Sequence, residues 1–158
     1  RDSCRAAGAQ VERLELVVGL DTFRPVTVDD LDDHRMHSEA YTVSQATLEA
    51  CREADRVVAV GTTTTRALEA AARTGPSGRT DLFIRRPFDF QVVDLLLTNF
   101  HLPRTTLLVM LDAFIGPRWR NRYKLALAEG YRFLSFGDAM LVDRHRPEAS
   151  GIKVREPR

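Results

Sequence analysis

The chain has 158 residues, of which 44% are hydrophobic and 28% are charged. This composition is typical of a globular domain that buries a sizeable core, and it excludes an intrinsically disordered chain. The 23 Lys and Arg residues nearly cancel the 22 Asp and Glu residues, so the formal net charge is +1. The sequence has no overall basic excess that would indicate a nucleic-acid partner, although a local basic face is compatible with a neutral total charge.

The two cysteines, Cys4 and Cys51, lie far apart and have no zinc-type spacing. This pattern argues against a zinc site or a disulfide framework and favours a cytoplasmic protein. No apolar run approaches the roughly 20 residues of a membrane span, and Arg1–Gln10 lacks the apolar core of a signal peptide. We expect residues 1–12 to be a disordered edge, 13–143 to be a portion of an α/β domain, and 144–158 to be a frayed polar tail.

The first predicted element is a strand at Leu14–Leu20, which is apolar with one acidic interruption. An acidic run, Asp29–Asp33, separates it from a short strand predicted at Tyr41–Val43. Ser44 is a good N-cap for the next segment, Gln45–Asp55, whose apolar residues recur at helical spacing. These segments predict strand, loop, strand and helix in that order.

The segment Val57–Gly61 is a continuous apolar run, which is typical of a strand buried on both faces in a parallel sheet. Four threonines follow it, and an Ala-rich helix is predicted at Arg66–Arg73, ending at Gly75. A strand, a glycine turn and a helix form half of a βαβ unit.

The rest of the chain continues the alternation of strands and helices, which indicates the α/β fold class. Strands are predicted at Asp81–Ile84 and Val92–Leu97, a helix at Arg118–Gly130, and a terminal strand, after a glycine turn, within Phe133–Val142. The segment Thr105–Phe114 is a helix or a long buried strand, and Thr105, as an N-cap after Pro103, favours the helix.

Four polar clusters are candidates for chemistry, and the first contains His34, His37 and Glu39. Two imidazoles and a carboxylate in six residues suit acid–base chemistry or a metal. An H-x-x-H spacing alone is a weak metal signal, and an exposed polar loop is an alternative of about equal weight.

The second cluster follows the apolar strand and contains Thr62, Thr63 and Arg66. Free backbone N–H groups and hydroxyls at the start of a helix suit a phosphate or carboxylate, and an arginine one turn later adds a bidentate contact. The alternative, of about equal weight, is a well-capped helix without a ligand.

The third cluster is the loop Thr98–Pro103, which contains Asn99 and His101. It follows a predicted strand, and α/β proteins gather ligands at the carboxyl ends of their strands. His101 is able to shuttle a proton and Asn99 offers donors and acceptors. Alternatively, both side chains cap neighbouring backbone groups.

The fourth cluster contains Tyr131, Arg132, Phe133 and Asp138. Aromatic rings interleaved with arginine suit stacking on nucleobases, and a carboxylate in a glycine turn suits ribose hydroxyls. Core aromatics flanking a turn are the commoner use of such residues.

The four clusters, taken in this order, lie in a segment that spans roughly Leu16–Val142. This segment resembles the C-terminal half of the S-adenosylmethionine:tRNA ribosyltransferase-isomerase family. The family's motifs are G-x-x-T-F-x-P-V, M-H-S-E, A-V-G-T-T leading to R-x-L-E, V-D-x-L-x-T-N-F-H-L-P and Y-R-F-x-S-x-G-D-A-M. Several long motifs in sequence order are far more specific than one short pattern. The matching segments are Gly19–Val26, Met36–Glu39, Ala59–Glu69, Val93–Pro103 and Tyr131–Met140.

The resemblance implies a reaction in which the ribosyl group of S-adenosylmethionine is transferred to 7-aminomethyl-7-deazaguanine in tRNA and isomerised. Epoxyqueuosine forms, and adenine and methionine leave. S-adenosylmethionine is then a substrate, and no cofactor, metal or membrane is expected. The family fold joins an α/β domain to a smaller β-barrel domain supplied by upstream sequence. The chain is therefore expected to hold part of the α/β domain without the barrel, and its partners to be tRNA, S-adenosylmethionine and the N-terminal half of the same enzyme.

The resemblance also implies roles for the motif residues. His37, Glu39 and His101 are the candidate catalytic acid–base groups. The candidate substrate-binding residues are Ser38, Thr62, Thr63, Arg66, Asn99, Tyr131, Arg132, Phe133 and Asp138.

The first motif departs from the family pattern, because Val17 and Asp21 stand where a histidine and a glycine are usual. Val17 removes the polar contact that a histidine would make, and Asp21 adds a negative charge. A second hypothesis is therefore a catalytically weakened paralogue that only binds S-adenosylmethionine or RNA, and a third is a chain too short to fold or act alone.

Overall fold

A computed structural model describes residues 2–19 and 25–144, and in them it confirms the α/β class predicted from the sequence. Helices alternate with strands, and one-turn 3-10 segments lie at Leu31–Asp33 and Gly116–Arg118. The elements are α1 (Asp2–Ala6), β1 (Leu14–Val17), β2 (Glu39–Val43), α2 (Gln45–Glu53), β3 (Val58–Val60), α3 (Thr62–Thr74), β4 (Ser77–Thr80), β5 (Leu95–Asn99), α4 (Thr106–Ile115), α5 (Trp119–Ala128) and β6 (Ala139–Asp143).

The strands form two small sheets, each with three strands in the described part of the chain. The first sheet is antiparallel in the order β1-β2-β4. In the second, β3 pairs parallel with β5, and β6 pairs antiparallel with β5. Ala59 lies opposite Leu96, which in turn lies opposite Val142, so these three side chains form the packed face of this sheet.

Helix α3 joins the two sheets, because it contacts strands of both. Its buried face carries Ala67, Leu68, Ala70 and Ala71, and the small alanine side chains let the helix approach the strands closely. Burial of apolar surface of this kind is the main stabilising contribution to such a core. On the second sheet, α4 adds Leu111 and Phe114, and neither side chain is exposed to solvent.

The predicted helix caps are confirmed. Ser44 Oγ accepts a hydrogen bond from the backbone N–H of Thr47 at 3.0 Å, and Thr105 Oγ1 accepts one from Leu108 at 3.3 Å. Each hydroxyl satisfies a donor that a helix start leaves without an intrahelical partner. Gly61 precedes α3 with a φ of 94°, a left-handed value that a side chain would strain.

The prediction that the Val57–Gly61 strand is buried on both faces is wrong. Strand β3 does run parallel to β5, but the side chains of Val58 and Val60 are 51% and 65% exposed. Only the face that bears Ala59 packs against described elements. A continuous apolar run does not reveal which faces of a strand are covered, and this is why the sequence misled here.

The strand predicted at Asp81–Ile84 is also wrong, since the strand in this region is β4, at Ser77–Thr80. Pairing with β2 determines where the strand forms, because the backbone of the glycine-containing segment Ser77–Thr80 lies beside Glu39–Thr42. Ile84 is instead buried from an irregular loop. Strand propensity is weaker than such tertiary context.

The division into an edge (1–12), a domain portion (13–143) and a tail (144–158) stays a prediction. Helix α1 lies in the first segment with every residue exposed, and residues 145–158 lie outside the described part of the chain. None of the described helices is long and apolar enough to cross a bilayer.

Candidate functional site

A cleft of ≈ 340 Å³ lies beside the start of β2. It is lined by residues from segments 25–28 and 33–37 together with Glu39 and Arg66. A smaller cavity of ≈ 20 Å³ borders Thr62, Thr63 and Thr106 and shares Met36 and Arg66 with the cleft. Its volume suits a single ordered water molecule. The M-H-S-E motif and the start of α3 therefore meet around one concave region.

Glu39 and Arg66 form a buried ion pair at the floor of the cleft. Glu39 Oε2 and Arg66 Nη1 are 2.8 Å apart, and the two side chains are 4% and 5% exposed. Glu39 Oε1 also accepts a hydrogen bond from the backbone N–H of Gly19, and Arg66 Nη2 donates to the carbonyls of His37 and Thr80. The pair therefore ties the segment after β1 to β2, α3 and β4.

These contacts do not satisfy every hydrogen-bond donor of the Arg66 guanidinium. Its buried Nε–H has no acceptor among the residues that the structure describes. Burial lowers the pKa of Arg66 from its ordinary value, and the charges of Glu39 and Asp81 act in the opposite direction. A buried donor without an acceptor is costly, and Arg66 borders both the cleft and the smaller cavity.

The start of α3 adds further donors. Thr62 and Thr63 belong to its first turn, whose N–H groups have no intrahelical acceptor. The preceding Gly61 lies next to β5, because its N–H donates to the carbonyl of Leu97 at 2.8 Å. The helix start and the Asn99 loop therefore lie at the same edge of the sheet, the carboxyl ends of two parallel strands, where α/β proteins commonly bind ligands.

The histidines of the first cluster lie on the cleft wall. The His37 side chain is exposed and lines the cleft, and His34 lines it while packing against the Phe83 ring at 5.0 Å. Ser38, in contrast, faces Arg79, whose Nε donates to the serine hydroxyl at 3.1 Å. The structure therefore brings His37 to the cleft and holds Ser38 beside β4.

His101 lies in a buried, hydrogen-bonded environment away from both cavity linings. Its Nε2 is 2.8 Å from Thr98 Oγ1, and its backbone N–H donates to the Tyr123 hydroxyl at 2.8 Å. Burial lowers the pKa of His101 to about 4 and raises that of Tyr123 to about 12. His101 is therefore a neutral imidazole near pH 7.

The lowered pKa of His101 predicts a loss of stability in acid. Below its unfolded pKa of about 6.5, the unfolded state binds a proton that the folded state does not bind until pH falls to about 4. The free energy of unfolding should therefore fall as the pH drops through this window, by at most about 3 kcal/mol. We expect NMR to show that the His101 ring stays neutral above pH 5; a titration midpoint near 6.5 would contradict this.

The remaining predicted ligand residues form a second group around the end of β5. Asn99 Nδ2 donates to the carbonyl of Asp138 at 2.9 Å, and the Asp138 carboxylate accepts from the backbone N–H of Arg132 at 2.6 Å. That hydrogen bond, followed by the one from the Arg132 guanidinium, lowers the pKa of Asp138. Asn99 and Asp138 thus hold the 131–138 loop against β5.

The aromatic residues of this loop divide between core and surface. The Phe133 ring stacks on Phe100 with centroids 5.4 Å apart, whereas Tyr131 touches the same ring edge-on and is half exposed. The Arg132 side chain is exposed. Phe133 therefore serves the core, and Tyr131 and Arg132 remain accessible.

The cleft residues and the group around the end of β5 are connected through segment 25–28, which contributes to the cleft wall. The N–H of Val26 donates to the carbonyl of Arg104 at 2.6 Å, and Pro25 forms a bridge with Thr105. Since Pro25 lines the cleft, the loop after His101 supports the cleft wall from behind. The predicted site residues thus form one layer at the cleft and a second layer behind it.

Several contributors were not selected from the sequence. Pro25, Thr27, Val28 and Met36 line the cleft. Pro25 and Met36 belong to matching motifs but were given no role, and no pattern marks Thr27 and Val28. In the described part of the chain, no group of three His, Cys, Asp or Glu side chains is arranged to hold a metal ion. Of the two departures in the first motif, Val17 is exposed at the end of β1, and Asp21 lies outside the described residues.

Comparison with protein families gives one match that covers most of the chain. The queuosine biosynthesis protein family matches residues 1–142. The matched segment contains both groups of predicted site residues.

Individual relatives agree with that match. The S-adenosylmethionine:tRNA ribosyltransferase-isomerase of an Azoarcus species is 53% identical, over 91% of this chain and 44% of the relative. The enzyme of the same name from Thermus thermophilus is 51% identical, over 87% of this chain and 43% of the relative. The chain therefore spans less than half of the length of these relatives.

A solved structure is similar as well. The crystal structure of S-adenosylmethionine tRNA ribosyltransferase from Thermotoga maritima superimposes with a TM-score of 0.61 at 50% identity. The match covers 65% of this chain and 40% of that chain.

Proposed function

Because this chain belongs to the family of queuosine biosynthesis proteins, we propose that it forms part of an S-adenosylmethionine:tRNA ribosyltransferase-isomerase. The observation that carries the proposal is the family match over residues 1–142, joined to a cleft built from that family's M-H-S-E motif. In the proposed reaction, the ribosyl group of S-adenosylmethionine moves to 7-aminomethyl-7-deazaguanine in tRNA and becomes the epoxycyclopentanediol of epoxyqueuosine. Adenine and methionine leave, so S-adenosylmethionine is a substrate and no cofactor is required.

The cleft suits the charges of S-adenosylmethionine. The carboxylate of S-adenosylmethionine would accept from the buried Nε–H of Arg66, a residue that lines both the cleft and the smaller cavity, and, through a water in that cavity, from the first-turn N–H groups at Thr62 and Thr63. Asp33, on the cleft wall, would favour the positively charged sulfonium and amino groups. In this proposal the helix start selects the methionine end of the substrate.

The chemistry also needs acid–base groups. The sulfonium acidifies the proton on the adjacent ribose carbon, which a base must remove, and the leaving adenine needs a proton donor. His37 and Glu39 border the cleft, and we propose that His37 exchanges protons with the substrate. Glu39 is already engaged by Arg66, and we assign it to orienting that arginine. His101 would keep the Asn99 loop in place behind the cleft.

A binding-only protein is the second candidate function. The observation that favours it is Val17 in place of the usual histidine, since its side chain is exposed beside the segment Val18–Gly19, which contacts Glu39 through the backbone N–H of Gly19. Such a protein would bind S-adenosylmethionine or RNA without releasing adenine.

Adenine release separates these two functions. The complete gene product should be incubated with S-adenosylmethionine and tRNA that carries the 7-aminomethyl-7-deazaguanine precursor, and adenine should be measured by chromatography. We expect adenine release that requires both substrates. Replacement of His37 by Ala should lower the rate about 100-fold or more, the usual contribution of a general acid or base.

The matched control is His34→Ala, which changes another histidine on the same cleft wall and should lower the rate less than tenfold. Absence of adenine release from the unaltered protein, with a relative active on the same tRNA, would refute the enzymatic proposal. Equal rates for His37→Ala and the unaltered protein would remove His37 from the reaction.

A further inference from the structure

Helix α5 and the turn before it carry a concentration of positive charge that the near-neutral total conceals. Between Ala113 and Ala128 there is no acidic residue, whereas Arg118, Arg120, Arg122 and Lys124 follow one another at every second position. The whole chain has a formal charge of only +1. The positive charge is therefore local. Residues two positions apart point to nearly opposite sides of a helix, so Arg118 and Arg122 form one row and Arg120 and Lys124 form another. We call the two rows together the cationic face.

The buried side of α5 leaves the cationic face in solvent. Trp119 and Tyr123 pack towards the core, where the two rings contact each other and Tyr123 also contacts Phe100. All four cations are exposed. Their spacing places Arg118 near Arg122 and Arg120 near Lys124, and like charges four residues apart destabilise a helix by a few tenths of a kcal/mol.

The charges of this face are poorly compensated. Arg122 and Lys124 have no ion pair within the described part of the chain. Arg120 reaches the Asp112 carboxylate only at 4.0 Å, and its guanidinium lies 4.8 Å above the Trp119 ring. Asp112 itself is engaged by Trp119 Nε1 at 2.6 Å and by Arg86 at 2.7 Å. An external polyanion would supply the missing negative charge.

Exposed aromatic rings lie in the loop that continues from α5. The backbone N–H of Tyr131 donates to the carbonyl of Ala126 at 2.9 Å, so the loop begins against the helix end. Tyr131 is half exposed and the Phe136 side chain is 66% exposed. Cations beside exposed rings are typical of single-stranded nucleic-acid surfaces, where phosphates and bases bind together. An acidic protein partner would use the same charges, and the salt dependence of tRNA binding distinguishes the two.

The helix is also connected to the family motifs. The Tyr123 hydroxyl of α5 accepts from the backbone N–H of His101, and Leu134 donates to the carbonyl of Phe100. We propose that the cationic face, with the adjoining Tyr131 and Phe136, binds the phosphate backbone and loop bases of the tRNA substrate. This inference rests on the proposed function, since it assigns a surface to the RNA on which that function acts.

The test removes the two uncompensated cations from the complete gene product. The double variant Arg122→Gln/Lys124→Gln should bind precursor tRNA roughly tenfold to a hundredfold more weakly at about 0.1 M salt. The slope of log Kd against log salt should become shallower by about 1.4 to 1.8, at about 0.7–0.9 per lost phosphate contact. KM for tRNA should rise by a similar factor while kcat at saturating tRNA stays unchanged.

The matched control is Arg13→Gln/Arg52→Gln, which removes two exposed cations outside the cationic face. Unchanged affinity and salt slope in the α5 variant, or equal losses in both variants, would overturn the inference. If the enzymatic proposal is wrong, the unaltered protein will release no adenine. The affinity for tRNA can still be measured in that case, so the two proposals fail in distinguishable ways.

Discussion

Replacement of Arg66 by Met is expected to lower the free energy of unfolding by about 3–5 kcal/mol, because it leaves the Glu39 carboxylate buried without this cation. Both side chains are almost fully buried, and the Nη1–Oε2 distance is 2.8 Å. The carbonyls of His37 and Thr80 would also lose the donors that Arg66 provides. Urea-induced unfolding of the complete gene product, followed by circular dichroism, measures the difference.

The double variant Glu39→Met/Arg66→Met separates the cost of an unpaired charge from the cost of lost packing. Removal of both charges should recover part of the stability, since apolar replacements of buried ion pairs are often tolerated. An exposed pair is the matched control: Arg56 and Asp143 are 2.9 Å apart and mostly solvent-accessible. Arg56→Met should therefore cost less than about 1 kcal/mol. A loss in Arg66→Met no larger than in Arg56→Met would contradict a structural role for the buried pair.

The Glu39–Arg66 pair also illustrates what the sequence did not reveal about the site. The sequence assigned Glu39 to catalysis and Arg66 to binding an anion, and it gave no sign that the two residues contact each other. They lie 27 positions apart in the sequence, on β2 and α3, and only the packing of α3 on the first sheet joins them. Contacts between distant segments depend on tertiary packing, which local patterns do not encode.

Local features were predicted more successfully than tertiary ones. The caps at Ser44 and Thr105 follow from hydroxyl side chains that satisfy adjacent backbone donors, so a few residues suffice to determine them. Strand β4 was missed because its serine and glycine have low strand propensity, and pairing with β2 compensates for this. The exposed face of β3 was missed because apolar composition does not show what covers a strand.

For the candidate site, the sequence selected residues that the structure separates into two layers. His37, Thr62 and Thr63 border the cavities, whereas His101 and Asn99 form hydrogen bonds inside the support behind them. Motif position cannot distinguish a side chain that faces a ligand from one that orients its neighbours. Burial and hydrogen-bond partners make this distinction, and they require the fold.

Glu69, the last residue of the R-x-L-E motif, is a clear case of a motif residue with a structural task. Its side chain is fully buried in α3. The carboxylate accepts hydrogen bonds from three consecutive backbone N–H groups, of Gln91, Val92 and Val93, at 2.9–3.0 Å. Arg73 Nη1 lies 2.8 Å from Glu69 Oε2. The carboxylate thus fixes the segment that leads into β5, at whose end the Asn99 loop begins.

Glu69→Ala should consequently destabilise the chain by about 4–6 kcal/mol, an exceptionally large loss for a single substitution. Each buried N–H left unsatisfied costs about 1–3 kcal/mol, and Val92 and Val93 are held in a segment that solvent reaches poorly. Hydrogen exchange gives a local measurement: the amides of Val92 and Val93 should exchange far faster in the variant.

Two further variants serve as controls. Glu69→Gln, which keeps the size and one acceptor oxygen, should lose about half as much stability as Glu69→Ala. Glu49→Ala, at an exposed position on α2, should change stability by less than about 0.5 kcal/mol. Protection of the Val92 and Val93 amides that survives in Glu69→Ala would show that other contacts hold this segment.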